Sequence, residues 1–173
     1  MSFRSSTDCV RATTVVPADP AAAFALFTTE VDLWWRRGPR FRHGHGRPSV
    51  MRFDGQEGGR LVEVYIDEAG GAFEVGRVLA WKPGDRLVFE WRGNNFEPGL
   101  VTEVEVRFER AERGTRITLE HRGWDRVPLG HASRHGYGAS NAFVSMIGLH
   151  WGDQLASLRV YATGASPPNR RSP

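Results

Sequence analysis

Between residues 49 and 123 the chain is divided by turn chemistry into short runs, and that division restricts the fold more than any other feature. Asp54-Gly55 with Gly58-Gly59, Gly70-Gly71, Pro83-Gly84-Asp85 and Arg113-Gly114 are the separators. Asp-Gly, Gly-Gly and Pro-Gly steps supply the backbone angles that hairpin and type II turns require. The runs between them predict strands over 49–53, 60–66, 72–81, 86–91, 102–109 and 115–123, and sequential hairpins of this kind make an antiparallel sheet. The clearest runs have one apolar face. Val104, Val106 and Phe108 oppose Glu103, Glu105, Arg107 and Glu109; Ile117, Leu119 and His121 oppose Arg116, Thr118, Glu120 and Arg122; Leu87, Phe89 and Trp91 oppose Val88 and Glu90. One face is therefore wet and the other needs a cover. No clean period assigns faces to 60–66 or 72–81.

The end of the chain supplies the cover. Phe143, Ile147, Trp151, Leu155 and Leu158 recur at spacings of four, four, four and three, which predicts an amphipathic helix over 140–162 of roughly six turns. Met146 and His150 flank its apolar stripe. Gly164 and Pro167-Pro168 stop it, and 163–173 reads as a disordered tail. At the other end, 10–16 is β-branched and predicts a strand. Asp19 then caps, and Pro20 opens, a short helix over 21–27 that shows Phe24 and Phe27 on one side. Thr29 is the expected cap of a second short helix, 30–35, which ends in Trp34-Trp35. A Gly, Arg and His loop fills 36–47. The fold class is α+β: a curved antiparallel sheet with two short helices after the first strand and a long C-terminal helix across its concave face. Such a wrap encloses more volume than the helix fills, so a cavity follows.

Particular residues add a resemblance. Phe24 and Phe27, Leu33-Trp34-Trp35, Gly58-Gly59-Arg60, Gly76-Arg77-Val78 leading to Trp81, and Pro83 with Arg86-Leu87 and Phe89 to Trp91 form one ordered set. Gly114-Thr115-Arg116, Leu119-Glu120-His121 with Gly123-Trp124, and Trp151 with Leu155 and Leu158 continue it. The set resembles the START-like (SRPBCC) superfamily, in the branch named for activators of the heat-shock protein ATPase. The resemblance implies a helix-grip fold in one domain, residues 8–162. It implies no single activity, because the superfamily includes lipid carriers, hormone binders, cyclases, hydroxylase subunits and co-chaperone domains. Chaperone activators proper carry an additional N-terminal domain for which 173 residues leave no room, which weighs against a co-chaperone role.

Composition excludes several classes. No run approaches the roughly 20 apolar residues of a membrane span, and residues 1–10 lack the apolar core of a secretory signal. A cytoplasmic protein is the expectation. Cys9 is the only cysteine, so there is neither an internal disulfide nor a thiolate cluster. The net charge is only +3, and the basic residues are nearly all Arg, spread along the chain with Lys82 the sole lysine; no nucleic-acid partner is expected. There is no phosphate loop, dinucleotide fingerprint or nucleophile elbow, and no cofactor is expected.

The expected ligand-binding residues are Trp34, Trp35, Phe53, Glu63, Trp91, His121, Phe143, Ile147 and Trp151. Inward-facing His121 either orients a ligand or is a core histidine satisfied within the protein. Trp34 and Trp35 either guard a pocket mouth or anchor packing. Glu63 is either a buried carboxylate or a solvated one. His43-Gly44-His45 has metal-like proximity but no third ligand nearby, and His131 with His135 lies in a Gly-rich stretch. Both read as loop, and no metal is expected. The leading function is binding of a small hydrophobic or aromatic molecule. The alternatives are a cyclase- or hydrolase-type enzyme using His121 and Glu63 for proton transfer, and a co-chaperone-like interaction module. A homodimer stays open.

Overall fold

The computed structural model describes residues 9–137 and 141–164. The strands are β1 (Cys9–Val16), β2 (Ser49–Phe53), β3 (Arg60–Tyr65), β4 (Ala72–Lys82), β5 (Arg86–Trp91), β6 (Thr102–Ala111) and β7 (Gly114–Arg122); the helices are α1 (Pro20–Thr28), α2 (Val31–Trp34) and α3 (Asn141–Ala162). Six consecutive strands form the meander, and β1 returns to the far edge, giving the order β1-β7-β6-β5-β4-β3-β2 with every pairing antiparallel. The expected helix-grip architecture is what the chain adopts. Ser140, the expected start of the long helix, and residues 165–173 lie outside the described residues.

Curvature comes from β4. Its pairing slips by one residue against β3 beside Leu61 and Val62, and again against β5 between Val78 and Ala80. Each slip is a bulge, which bends the strand and increases its twist. Phe73, Val75, Val78 and Trp81 all join the core, at spacings of two, three and three, so each extra residue resets the alternation. Gly76, beside the first slip, lets β5 come close, since a Cβ there would lie 1.7 Å from the carbonyl oxygen of Glu90.

Side chains of α3 fill the concavity: Trp151, Leu155 and Leu158 share one buried cluster with Val104, Val106, Phe108, Ile117 and Leu119. Asp19 accepts a hydrogen bond from the amide of Ala22 at 2.9 Å and Pro20 follows it, as expected for the α1 cap. Thr29 does not cap α2. It closes the C-terminus of α1, and Glu30 precedes α2 without a side-chain cap bond. The single turn of α2 is held from outside instead: Trp34 Nε1 donates to Leu26 O at 2.9 Å, and Ser157 Oγ on α3 donates to Trp34 O at 2.6 Å. Just beyond α3 the Gly164 amide donates back to Tyr161 O, with φ at 68°.

The outer face departs from the simple pattern at Glu105. This carboxylate is buried, with Arg86, Arg107 and Arg122 folded over it from its own and both flanking strands. Burial pushes its pKa up, but the hydrogen bonds from Arg86 and Arg122 and the charges of Arg122 and Arg107 outweigh that effect, and the net is a fall to about 2. Three guanidinium stems cover what alternation alone would leave wet.

Candidate functional site

At the end of the sheet where β5 and β7 finish, the wrap leaves a cavity of about 490 Å³. Its floor is Trp91 and His121. Around them stand the loop 39–45, the loop 93–96, the segment 124–135 and the first half of α3. Trp91 is the hub. Its ring centroid lies 5.4 Å from that of Trp151, 5.7 Å from His43, 5.8 Å from His121, 5.9 Å from Trp35 and 6.0 Å from His150.

His121 is locked on both sides. Trp151 Nε1, a donor only, donates to His121 Nδ1 at 2.9 Å. Nδ1 is therefore the acceptor nitrogen and Nε2 carries the proton. It points at Thr102 Oγ1, 2.7 Å away, and that hydroxyl donates onward to Trp91 O at 3.1 Å. Burial, then the charge of His150, hold the imidazole pKa well below its ordinary value. His121 is thus neutral, with both nitrogens engaged inside the protein.

Loop 36–47 is anchored by a buried arginine. Arg42 donates to Asp32 Oδ1 at 2.9 Å, to Trp35 O at 3.1 Å and to Arg36 O at 3.3 Å, and Asp32 in turn accepts from the Met51 amide. Glu63, fully buried, accepts from the His43 amide at 2.6 Å and from Ser49 Oγ at 2.7 Å. Between them the backbone passes so close to Tyr65 that a Cβ on Gly44 would lie 2.5 Å from the ring. The Gly-rich character of this loop thus serves close packing against β3. Phe41, Arg42 and Gly44 of this loop are all buried.

Histidines crowd this end. Five of the six in the chain line the cavity: His43, His45, His121, His135 and His150. Two of them, His45 and His135, are the only non-glycine residues with positive φ among those described, at 49° and 47°. Left-handed backbone at side-chain-bearing residues is sparsely populated and persists where surrounding structure imposes it. The His150 ring lies 5.2 Å from Phe41; burial first, then the charges of Arg40 and His43, push its pKa down to about 4 against the opposing charge of Asp153. Burial also lowers the pKa of His43, with Glu63 opposing. Among the described residues no three His, Cys, Asp or Glu are grouped to hold a metal.

Of the residues expected at the site, Trp91, His121, Ile147 and Trp151 stand in the cavity wall. Trp34, Trp35, Phe53, Glu63 and Phe143 do not. Trp34 packs on Phe27, Trp35 backs the floor by stacking on Trp91, and Phe53 sits deeper against Phe89 and Trp81. Glu63 ties the loop from beneath, and Phe143 closes a satellite cluster with Trp124 and Val127. Sequence reasoning missed His43, His150, Arg42 and Trp124. The available signal was the histidine count on segments bordering one sheet end, but His43 and His135 each sit in a stretch with no period to orient them.

A seven-stranded wrap around one long helix, with a ring-lined cavity at its open end, defines a helix-grip protein. The chain belongs to the family described as activator of Hsp90 ATPase homolog 1-like protein, whose model matches residues 17–162. No curated protein matches it significantly in sequence. Solved structures share the fold. A crystal structure of a Mesorhizobium loti protein is 16% identical with a TM-score of 0.61, covering 92% of this chain and 99% of its own. The solution structure of the Aha1 dimer from Colwellia psychrerythraea is also 16% identical with a TM-score of 0.61, covering 92% and 98%. CalU16 from Micromonospora echinospora is 18% identical with a TM-score of 0.54, covering 92% and 76%.

Proposed function

We propose that this chain binds a small hydrophobic or aromatic molecule in the cavity between the sheet and α3. The observation that carries this reading is the ring-walled cavity of about 490 Å³ around Trp91, inside the roughly 300–1,000 Å³ range of small-molecule sites. Binding is favoured over proton-transfer chemistry at His121 and Glu63, because both imidazole nitrogens and the carboxylate are occupied by protein partners. No helix among the described residues is long and apolar enough to cross a membrane, in keeping with a cytoplasmic carrier or receptor. A homodimer, the state of the Colwellia Aha1 solution structure, is compatible with it.

Native mass spectrometry of freshly purified protein, followed by a thermal-shift screen against aromatic and fatty ligands, tests the proposal. A retained small molecule, or a concentration-dependent rise in Tm that disappears on blocking the cavity with Ile147→Trp, supports it. Absence of both would remove it.

A further inference from the structure

The cavity wall is polarised in a way that names the chemistry of its occupant. Five buried side-chain nitrogens among the described residues have no hydrogen-bond partner in the protein, and four belong to residues of this wall: Arg42 Nη1, His43 Nε2, His150 Nε2 and Trp124 Nε1. Buried polar groups are nearly always paired, and an unpaired donor costs its full desolvation. The guanidinium and indole nitrogens can only donate, and each imidazole Nε2 donates in one tautomer. Yet among the described residues of the wall there is no Asp or Glu to accept. The wall thus carries donors without a carboxylate of its own, which an acceptor-rich molecule from outside the chain would complement.

The wall also combines polar and apolar groups. His43 and His150 flank Trp91, and Arg40 and Arg42 approach from the same loop as His43. Beside them Phe96, Trp124, Met146 and Ile147 pack as an apolar group. From this geometry we infer that the occupant is an aromatic carboxylate, its ring body against Phe96, Met146, Ile147 and the indole face of Trp124 and its carboxylate toward His43, His150 and Arg42; the Trp124 N–H lies outside this pairing. A carboxylate offers about four lone-pair sites where a neutral carbonyl offers two. Bonds to its charge are shorter and stronger than neutral ones.

The inference rests on the proposed function, and matched ligand pairs separate the two. Benzoate and benzamide, 2-naphthoate and 2-naphthamide, and anthracene-2-carboxylate with its amide are titrated into the full chain by calorimetry. At least one acid is expected to bind about tenfold more tightly than its amide. In the His43→Phe/His150→Phe variant, which keeps a ring at each position, that preference is expected to fall below about threefold, acid affinity dropping more than amide affinity. Equal binding of acid and amide by the unmodified protein overturns the carboxylate and leaves the binding reading intact. A preference that survives in the variant overturns the assignment to these imidazoles. If no member of any pair binds, the inference falls, and the proposed function falls with it if the purified protein also retains no molecule.

Discussion

The Trp151–His121 hydrogen bond can be isolated by a double-mutant cycle. Trp151 is fully buried and His121 is 1% exposed, so whichever partner remains after a single substitution is stranded without water. In His121→Phe the Trp151 N–H loses its acceptor, while Thr102 keeps its bond to Trp91 O; the stranded donor costs about 1–3 kcal/mol. In Trp151→Phe the lone pair on His121 Nδ1 is stranded at a similar cost, with about 1 kcal/mol more for lost packing. The double variant replaces both partners by apolar rings and strands neither. It is therefore expected to be more stable than the sum of the singles predicts by about 1–2 kcal/mol. Urea denaturation at neutral pH, read as midpoint and slope for all four proteins, gives the coupling. Additivity within about 0.5 kcal/mol would show that the bond carries no net energy and would refute the reasoning.

Other outcomes are as specific. The pKa of His150 in the folded state is about 4 and that of His121 is also depressed, so the unfolded chain takes up protons first. Stability should be flat above pH of about 6.5 and fall toward pH 4, by about 2–3 kcal/mol from His150 alone; a Tm unchanged from pH 7.5 to 4.5 would contradict this. Glu105→Gln should cost about 1–2 kcal/mol at neutral pH after discounting for partly exposed arginine partners. Its penalty should shrink as pH drops from about 4.5 toward 2, the window over which the native carboxylate loses its advantage, and denaturant midpoints across that range measure it. Gly76→Ala forces a Cβ into the Glu90 carbonyl and should cost about 3 kcal/mol or more; a loss under about 1 kcal/mol by thermal melting would mean that the bulge relaxes freely.

Much of the fold was legible because each signal was local. Turn dipeptides set the hairpins, and the spacing of Phe143, Trp151, Leu155 and Leu158 set the covering helix. Where alternation was clean, as in 102–109 and 115–123, the inward set was right, His121 included. It was illegible in β4 for a physical reason: two bulges insert residues that no propensity marks, so Phe73, Val75, Val78 and Trp81 face one way at uneven spacing. The burial of Glu105 was hidden because its three arginines come from different strands. The cavity wall was the least legible part. Half of it lies on loops whose course is fixed by side-chain bonds to other elements, such as Arg42 to Asp32 and Glu63 to the His43 amide, and no periodicity marks such a bond.

The indole cluster at the cavity floor gives the protein a built-in optical reporter. Trp35 lies 5.9 Å from both Trp91 and Trp151, and the latter two are 5.4 Å apart. At these separations, and with Trp34 5.6 Å from Trp35, the excited states couple, so the near-ultraviolet dichroism of the folded chain should be dominated by these four indoles and vanish with them on unfolding. Because Trp91 and Trp151 also border the cavity, a molecule settling there changes the polarity and quenching around emitters that exchange energy with Trp35. Occupancy should therefore register in intrinsic emission without any label, and excitation at the red edge, which selects Trp, would follow it in the presence of absorbing aromatic ligands.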